Sequence, residues 1–281
     1  MSIKNWLVRG DTHGNFLWML NGVLDGYEPE ETAIIILGDA GLNFYLNKTD
    51  TRKKREVNDR GYLLYCVRGN HEARPTSIPG METMFDENVA GYVFYEPDFS
   101  NIRYFLDVGI YTISDYRCLV LGGAYSVDKG YRLASAGILD EVDNNPKKTG
   151  WWADECLSEA ERAKGLQLIE DSKNYTFDFV FSHTCPKKYQ PTDLFLGFVD
   201  QSTVDDSMEV WMDEISEKIE VNYAWCFGHY HQDRIERPHV EQFFNDVDDL
   251  ESIARRWYVY DETGELAWFL KRSPFFFEED A

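Results

Sequence analysis

Residues 6–14, WLVRGDTHG, carry the pattern that decides the fold: an apolar run ends abruptly in glycine, aspartate and histidine. The same pattern recurs as AIIILGD at 33–39, LLYCVRGNHE at 63–72, FVFSH at 179–183 and YAWCFGHYH at 223–231. Short apolar runs rich in branched and aromatic residues are typical of buried strands. The sequence therefore predicts several buried strands, each followed directly by polar residues.

These polar residues follow the carboxyl ends of the predicted strands, at the edge where open α/β sheets bind ligands. Five of the six histidines of the chain lie among them. A single histidine or aspartate in such a place is more often a structural residue or part of a turn. The joint pattern instead indicates one crevice that collects residues distant in sequence.

The candidate ligands in this crevice are two carboxylates, one amide and four imidazoles: Asp11, His13, Asp39, Asn70, His183, His229 and His231. Nitrogen and oxygen donors of these kinds suit first-row divalent metals. Two such metals about 3.5–4 Å apart can hold both sides of a phosphoryl displacement. Neighbouring glycines permit the sharp turns and close backbone approach that such a site requires. We therefore predict a two-metal site that hydrolyses phosphoesters.

The motifs, taken in order, resemble those of the calcineurin-like metallophosphoesterase family. They are GDTHG at 10–14, GD at 38–39, GNHE at 69–72, an isolated His183 and GHYH at 228–231. The ordered set spans residues 10–231, which is most of the chain. Segments at 124–129, 151–152 and 182–186 resemble, more narrowly, bacterial and prophage-type members.

The resemblance implies a fold of the α+β class, a four-layer α-β-β-α sandwich of two mixed β-sheets. It implies two divalent metal ions, manganese first, with iron, zinc, cobalt or nickel as alternatives. The first metal is then held by Asp11, His13 and His231 and the second by Asn70, His183 and His229, with Asp39 bridging the pair. His71 becomes the catalytic residue, which donates a proton to the leaving oxygen or stabilises phosphoryl charge. A hydroxide between the two metals attacks in line, without a covalent intermediate.

One motif departs from the phosphoprotein phosphatases of this family. Those members extend the second motif to Gly-Asp-x-x-Asp-Arg-Gly, in which the second Asp orients the catalytic histidine and the Arg binds phosphate. Here residues 38–43 read GDAGLN, so both are missing, and a protein Ser/Thr phosphatase is disfavoured. Asn43 or Glu72 are candidates to orient His71. Arg74 and Arg132 are candidates to bind the substrate phosphate.

Length and composition limit the remaining possibilities. With 281 residues we expect a single domain over 1–281, with a loop insertion at about 125–156 and an acidic C-terminal tail. The net charge of −22 disfavours nucleic acid as a partner, because binding a phosphate backbone normally uses lysine and arginine clusters. Five cysteines without a metal-like spacing predict free thiols and a reducing compartment. With no signal-peptide pattern and no membrane-length apolar run, we expect a cytoplasmic protein without membrane contact.

Periodicity adds predictions for individual elements. It predicts helices at 15–24 and 205–219. A third helix is predicted to start at a capping box of Ser158 and Glu161 and to end at about residue 171. We predict a β-hairpin from two apolar segments separated by a turn, at 257–260 and 266–270. The tryptophan pair at 151–152 is interpreted as pinning a loop to the body, since large aromatic residues usually pack.

Three functions remain open from the sequence. The leading one is a phosphomonoesterase acting on a phosphoprotein or a small phosphorylated metabolite. The alternative is a phosphodiesterase, of nuclease or cyclic-nucleotide type, on the same metal centre, and the site chemistry does not separate the two. A non-catalytic scaffold ranks below both, because every predicted ligand and His71 are present.

Overall fold

The structure is a computed structural model that describes residues 3–195 and 201–264. In these residues the chain forms thirteen strands: β1 (Asn5–Arg9), β2 (Thr32–Ile36), β3 (Leu63–Cys66), β4 (Glu82–Asp86), β5 (Gly91–Tyr95), β6 (Ile102–Phe105), β7 (Val108–Ile113), β8 (Tyr116–Leu121), β9 (Thr176–Ser182), β10 (Glu220–Phe227), β11 (Arg234–Arg237), β12 (Val240–Gln242) and β13 (Val247–Asp249). The same residues form six α-helices: α1 (Lys48–Asn58), α2 (Lys129–Ser135), α3 (Pro146–Thr149), α4 (Glu159–Asp171), α5 (Ser207–Lys218) and α6 (Leu250–Thr263).

The strands form two mixed sheets. The first has the order β13-β1-β2-β3-β6-β5-β4, in which β1, β2, β3 and β6 run parallel and the other three strands pair antiparallel. The second has the order β11-β12-β10-β9-β8-β7, in which β12, β10, β9 and β8 run parallel. Its edge strands β11 and β7 are antiparallel. The strands predicted from the apolar runs form the parallel centre of each sheet.

Side chains that alternate between the two faces of each strand divide the hydrophobic core into layers. On β1, Trp6 and Val8 pack between the two sheets, whereas Leu7 packs on the outer face of the first sheet. On β8, Cys118 belongs to the core between the sheets and Leu119 to the core outside the second sheet. Successive side chains of a strand point to opposite faces, so each central strand contributes to two cores.

Helices cover the two outer faces. Val57 of α1 joins the core outside the first sheet. Ile169 of α4 and Met208, Trp211, Met212 and Ile215 of α5 join the core outside the second sheet. The predicted four-layer α-β-β-α sandwich of two mixed sheets is therefore confirmed.

Two of the predicted helices are confirmed. Helix α4 starts at a complete capping box, in which Ser158 and Glu161 each bond the other's backbone. Helix α5 confirms the helix predicted at 205–219 and buries an apolar stripe against the second sheet. The helix predicted at 15–24 is wrong, because only Leu17–Leu20 form a short 3-10 helix and Gly22 then adopts φ +81°. Leu17 and Leu20 are also exposed, so the apolar spacing in that segment did not mark a buried face.

The predicted C-terminal hairpin is also wrong. Residues 257–260 lie inside α6, which Asp249 caps through the Ser252 amide and which ends at Gly264 in the left-handed conformation. Ile253 and Trp257, four residues apart, are buried between the sheets. That spacing is helical, and the apolar run 257–260 concealed it. Residues 266–270 and the acidic tail lie outside the described residues.

The segment predicted as a loop insertion, 125–156, contains α2 and α3. Trp151 and Trp152 are both buried there, and Trp152 packs with Ala73 and Ile78 just after the GNHE motif. The tryptophan pair thus packs the segment against the body, as predicted. All five cysteines are free thiols, also as predicted. Among the described residues, no helix is both long and apolar enough to cross a membrane.

Candidate metal centre

The seven predicted ligands converge where the central strands of both sheets end. Asp11 and His13 follow β1, Asp39 follows β2, and Asn70 follows β3. His183 follows β9 of the second sheet, and His229 and His231 follow β10. Parallel neighbours end at one edge, so the two sheets present these loops to each other across the sandwich.

One group of ligands is open to solvent. The donor atoms of Asp11, His13 and His231 all lie within 4.8 Å of one another. His13 Nε2 and His231 Nε2 are 2.9 Å apart, and Asp11 Oδ2 lies 3.2 Å from the latter. These three are the residues predicted for the first metal. The side chains of His13 and His231 are 39% and 50% exposed, so this group forms the outer half of the cluster.

The other group is enclosed. His183 Nε2 lies 2.8 Å from Asn70 Oδ1, 3.3 Å from His229 Nδ1 and 3.6 Å from Asp39 Oδ2. His183 and Asn70 are buried, and His229 is half-buried. This group contains the residues predicted for the second metal and forms the inner half of the cluster.

Two carboxylates lie between the inner and outer halves. Asp39 Oδ2 is 3.6 Å from His183 and 3.9 Å from His13 Nδ1. Asp11 approaches His231 on the outer side and His183 Nδ1, at 4.0 Å, on the inner side. Bridging by Asp39 stays a prediction, and Asp11 occupies an equally central position.

Each of these carboxylates is held by one oxygen. His229 N donates to Asp11 Oδ1 and His71 N donates to Asp39 Oδ1, both at 2.9 Å. Asp11 Oδ2 is buried without a hydrogen-bond donor, although an unpaired buried carboxylate oxygen is costly. Imidazole nitrogens crowd the same space with their lone pairs. A divalent cation would satisfy this donor set, so the residues fit the metals that the motifs predict.

Glycines make room for the carboxylates. A Cβ at Gly69 would lie 2.0 Å from Asp39 Oδ1, and a Cβ at Gly228 would lie 2.3 Å from Asp11 Oδ1. Any side chain at either position would displace a predicted ligand. Gly69 precedes the predicted ligand Asn70, and Gly228 precedes His229. Each motif therefore supplies one ligand and leaves space for a carboxylate that follows another strand.

Backbone strain is concentrated in the cluster. His13, Asp39, His229 and His231 have φ of +47°, +47°, +68° and +53°, a region that non-glycine residues seldom adopt. Four of the seven predicted ligands share this feature, whereas only six other non-glycine residues do so in the described part of the chain. Strain of this kind persists where the surroundings hold it and is typical of functional sites.

A hydrogen-bonded chain behind the inner half orients Asn70. Asn70 Nδ2 donates to Ser126 Oγ at 2.9 Å, and Ser126 Oγ donates to Glu155 Oε2 at 2.5 Å. Glu155 Oε1 also accepts from Ser126 N at 2.9 Å. This chain fixes the amide so that Oδ1 lies towards His183. Sequence reasoning missed both residues, although Ser126 lies in the segment 124–129 that the resemblance singled out.

The electrostatic environment differs between the two halves. Burial, followed by the neighbouring His183, lowers the pKa of His229 to about 3. The carboxylate of Asp11, 3.2 Å from Nε2, raises the pKa of His231, although burial opposes it. Burial would raise the pKa of Asp39, but the imidazoles of His183, His71 and His13 lower it well below its ordinary value.

His71 lies beside the cluster, as the resemblance implies. Its Nε2 is 3.3 Å from Arg132 Nη2 and 3.3 Å from Asn70 Nδ2. Arginine has no acceptor, so Nε2 accepts and the imidazole is neutral. Burial lowers the pKa of His71, which agrees with this state. Among the described residues, His71 forms no hydrogen bond with Asn43 or Glu72, and Glu72 Oε1 instead accepts from Ala40 N. His71 therefore contacts Arg132, in a chain that lacks the second aspartate of the extended motif.

The two candidate arginines lie in different surroundings. Arg132 bonds Asp128 at 2.7 Å, approaches His71 and lies over the Phe44 ring. Arg74 is bound by carboxylates of Glu161, Asp154 and Asp107. The structure therefore brings Arg132 to the cluster and places Arg74 in a separate ion-pair network, so phosphate binding by Arg74 stays a prediction with a structural alternative.

Comparison with known proteins assigns the class. The model of the calcineurin-like phosphoesterase family matches residues 6–233, so the chain belongs to that family and is a metal-dependent phosphoester hydrolase. No curated protein matches the chain in sequence.

Two solved structures show a distant likeness to the chain. The phosphopantetheinyl hydrolase PptH of Mycobacterium tuberculosis is 11% identical with a TM-score of 0.41, over 99% of this chain and 98% of that one. The sulfate thiohydrolase SoxB of Thermus thermophilus is 13% identical with a TM-score of 0.35, over 83% of this chain and 37% of that one. With TM-scores below 0.5, these likenesses do not bear on substrate. The family assignment rests on the family model.

Proposed function

We propose that this chain is a dinuclear metal-dependent phosphomonoesterase. The observation that carries the proposal is that members of both ligand groups and His71 line one cavity of about 560 Å³, and that Arg132 contacts His71. Asp39, Asn70, His71, His229 and His231 line that cavity. A concave site of this size suits a small ligand or a single phosphorylated side chain.

The chain's own residues have distinct tasks in this proposal. Bound cations would polarise the phosphoryl oxygens and lower the pKa of a water. Arg132 binds a phosphoryl oxygen through its guanidinium, which releases His71 Nε2 from its present contact. The phosphoryl charge beside Nε2 then favours protonation of His71, which donates that proton to the leaving oxygen.

The charge of the cavity supports a small phosphorylated compound over a nucleic acid. Four carboxylates and one lysine line it, and this excess of negative charge would repel the further phosphates of a polynucleotide: Asp128, Asp205, Asp206, Glu209 and Lys187. A single phosphodiester of a small alcohol remains the alternative, because Tyr125 and Phe195 of the wall offer apolar contact to a second ester group. We favour the monoester because Arg132 adds a cation for its second negative charge.

The test compares hydrolysis of para-nitrophenyl phosphate and bis-para-nitrophenyl phosphate by metal-stripped protein titrated with manganese. Faster monoester cleavage is expected, with Asp39→Asn and His71→Ala proteins as inactive controls. Faster diester cleavage would replace the proposal with a phosphodiesterase. A protein that fills with metal but cleaves neither ester with any first-row divalent ion would favour the scaffold.

Further parts of the proposal rest on the sequence. We infer manganese as the resident metal, a single domain over residues 1–281, a phosphorylated small molecule or phosphoprotein as partner, and the cytoplasm as the compartment. The five free thiols support a reducing compartment. Metal analysis of protein purified without added metal tests the first of these inferences, and an excess of zinc or iron over manganese would overturn it.

A further inference from the structure

The wall of the cavity is acidic. Beyond the predicted ligands and His71, the charged residues described in it are Asp128, Asp205, Asp206, Glu209 and Lys187. Lys187 Nζ is bound to Asp206 at 2.5 Å, and Asp128 pairs with Arg132. Among the described residues, no ion pair is formed by the two remaining carboxylates, those of Asp205 and Glu209.

Glu209 is the unusual member of this wall. It is 4% exposed, and its Oε1 accepts from Thr184 Oγ1 at 2.7 Å. Its Oε2 is buried and has no hydrogen-bond partner in the described part of the chain. A buried carboxylate oxygen without a donor is costly, and such groups normally have a partner. Glu209 lines the cavity, and a turn of its side chain would bring Oε2 to a donor on a bound ligand.

Glu209 lies close to the reacting end of the cavity. Thr184, its hydrogen-bond donor, follows the predicted ligand His183 directly. Thr184 Oγ1 is also 3.1 Å from the hydroxyl of Tyr230, which lies between His229 and His231. Thr184 therefore links Glu209 to the cluster, and Glu209 lines the same cavity as His229 and His231.

The chemistry of this wall favours a cation. An ammonium group supplies the missing donor and offsets the charge of Asp205, which a neutral hydroxyl does not. It also favours the ionised form of Glu209, whose pKa burial raises to about 7. The rings of Tyr125, Phe195 and Tyr230 also line the cavity, and aromatic faces attract ammonium groups.

We infer that the cavity selects small phosphoesters whose alcohol part carries an ammonium group, and that Glu209 binds that group. This inference rests on the proposed phosphoesterase function. It names a substrate class for that function, the phosphorylated amino alcohols.

The experiment measures kcat/KM of the manganese-loaded protein for a matched series. The series is 2-aminoethyl phosphate, 2-hydroxyethyl phosphate and propyl phosphate, and phosphate release is followed. The amino compound should be preferred at least about tenfold over the other two, because hydrogen bonds between charged groups are stronger than neutral ones. Glu209→Gln should bring that ratio close to one. Glu214→Gln, an exposed carboxylate on the same helix, should leave it unchanged.

Binding provides a readout that does not need turnover. The dissociation constants of 3-aminopropylphosphonate and butylphosphonate are compared by calorimetry, on wild-type and Glu209→Gln proteins of confirmed thermal stability. Tighter binding of the amino compound to wild-type protein alone supports the inference even if no ester is cleaved. Equal binding of the pair, or equal cleavage of the three esters, overturns it while the proposed function stands. A lysine-flanked phosphoserine peptide cleaved tenfold faster than 2-aminoethyl phosphate would overturn the small-molecule assignment.

Discussion

The inner and outer halves of the cluster use the same kinds of donors in opposite surroundings. His183 and Asn70 are buried and are held from behind, by Leu37 O at 2.8 Å and by the Ser126–Glu155 chain. His13 and His231 are half-exposed and face each other. Fixed donors bind a metal with little reorganisation, whereas exposed donors can be replaced by water. We therefore expect the inner half to bind its metal more tightly and to exchange it more slowly.

The largest expected effect is the difference in activity between two histidine variants, one in each half of the cluster. His183→Ala should lower kcat/KM for para-nitrophenyl phosphate by about 1,000-fold or more, since a metal contributes several kcal/mol to charge stabilisation. His231→Ala should lose less activity than His183→Ala, and added manganese should restore part of the activity of His231→Ala. His239→Ala, the histidine outside the cluster, serves as the control. Equal losses for His183→Ala and His231→Ala, with no response to manganese, would contradict the contrast.

A smaller effect is expected from the chain behind Asn70. Ser126→Ala or Glu155→Gln should weaken binding of the inner metal by about 10–100-fold, because partners that orient a ligand contribute on this scale. The double variant should lose little more than either single one, since both act through one amide. Manganese titration measures the affinities, and Ser158→Ala, which removes a hydroxyl that bonds Glu161 rather than Asn70, is the control. Independent, additive losses would show that the two residues do not act through Asn70.

The smallest effect concerns pH. Metal binds the neutral imidazole, so a raised pKa weakens binding as pH falls, and a lowered pKa protects it. The pKa of His231 is raised above 6.5, whereas that of His229 is lowered to about 3. At a manganese concentration that just fills both sites at pH 7.5, the protein should therefore hold two ions at that pH and one at pH 5.5. Loss of both ions over the same pH range would show that the halves do not differ in proton competition.

The sequence predicted the parts of the molecule that depend on local pattern. The strands β1, β2, β3, β9 and β10 appear as apolar runs, and the seven ligands follow these five strands. The edge strand β4 was missed because most of its residues are exposed or half-exposed, which leaves no continuous apolar run. Residues 257–260 were misassigned because an apolar run of four fits a strand as well as a helix.

The contacts around the cluster could not be predicted from the sequence, because they join residues distant along the chain. Arg132 reaches His71 across 61 positions and Ser126 reaches Asn70 across 56, and neither contact leaves a local signal. Glu209 reaches Thr184 across 25 positions from a helix whose apolar stripe predicts only packing. Ligands lie on short motifs, whereas the residues that orient them or shape the cavity are selected by the tertiary fold.

The most direct test of the central claim is a crystal structure of the manganese-loaded protein with anomalous diffraction data. We predict two anomalous peaks at the junction of the sheets, one bound by Asp11, His13 and His231 and the other by Asn70, His183 and His229. The outer peak should be the weaker at limiting manganese. A single peak, or peaks bound by other residues, would contradict the account.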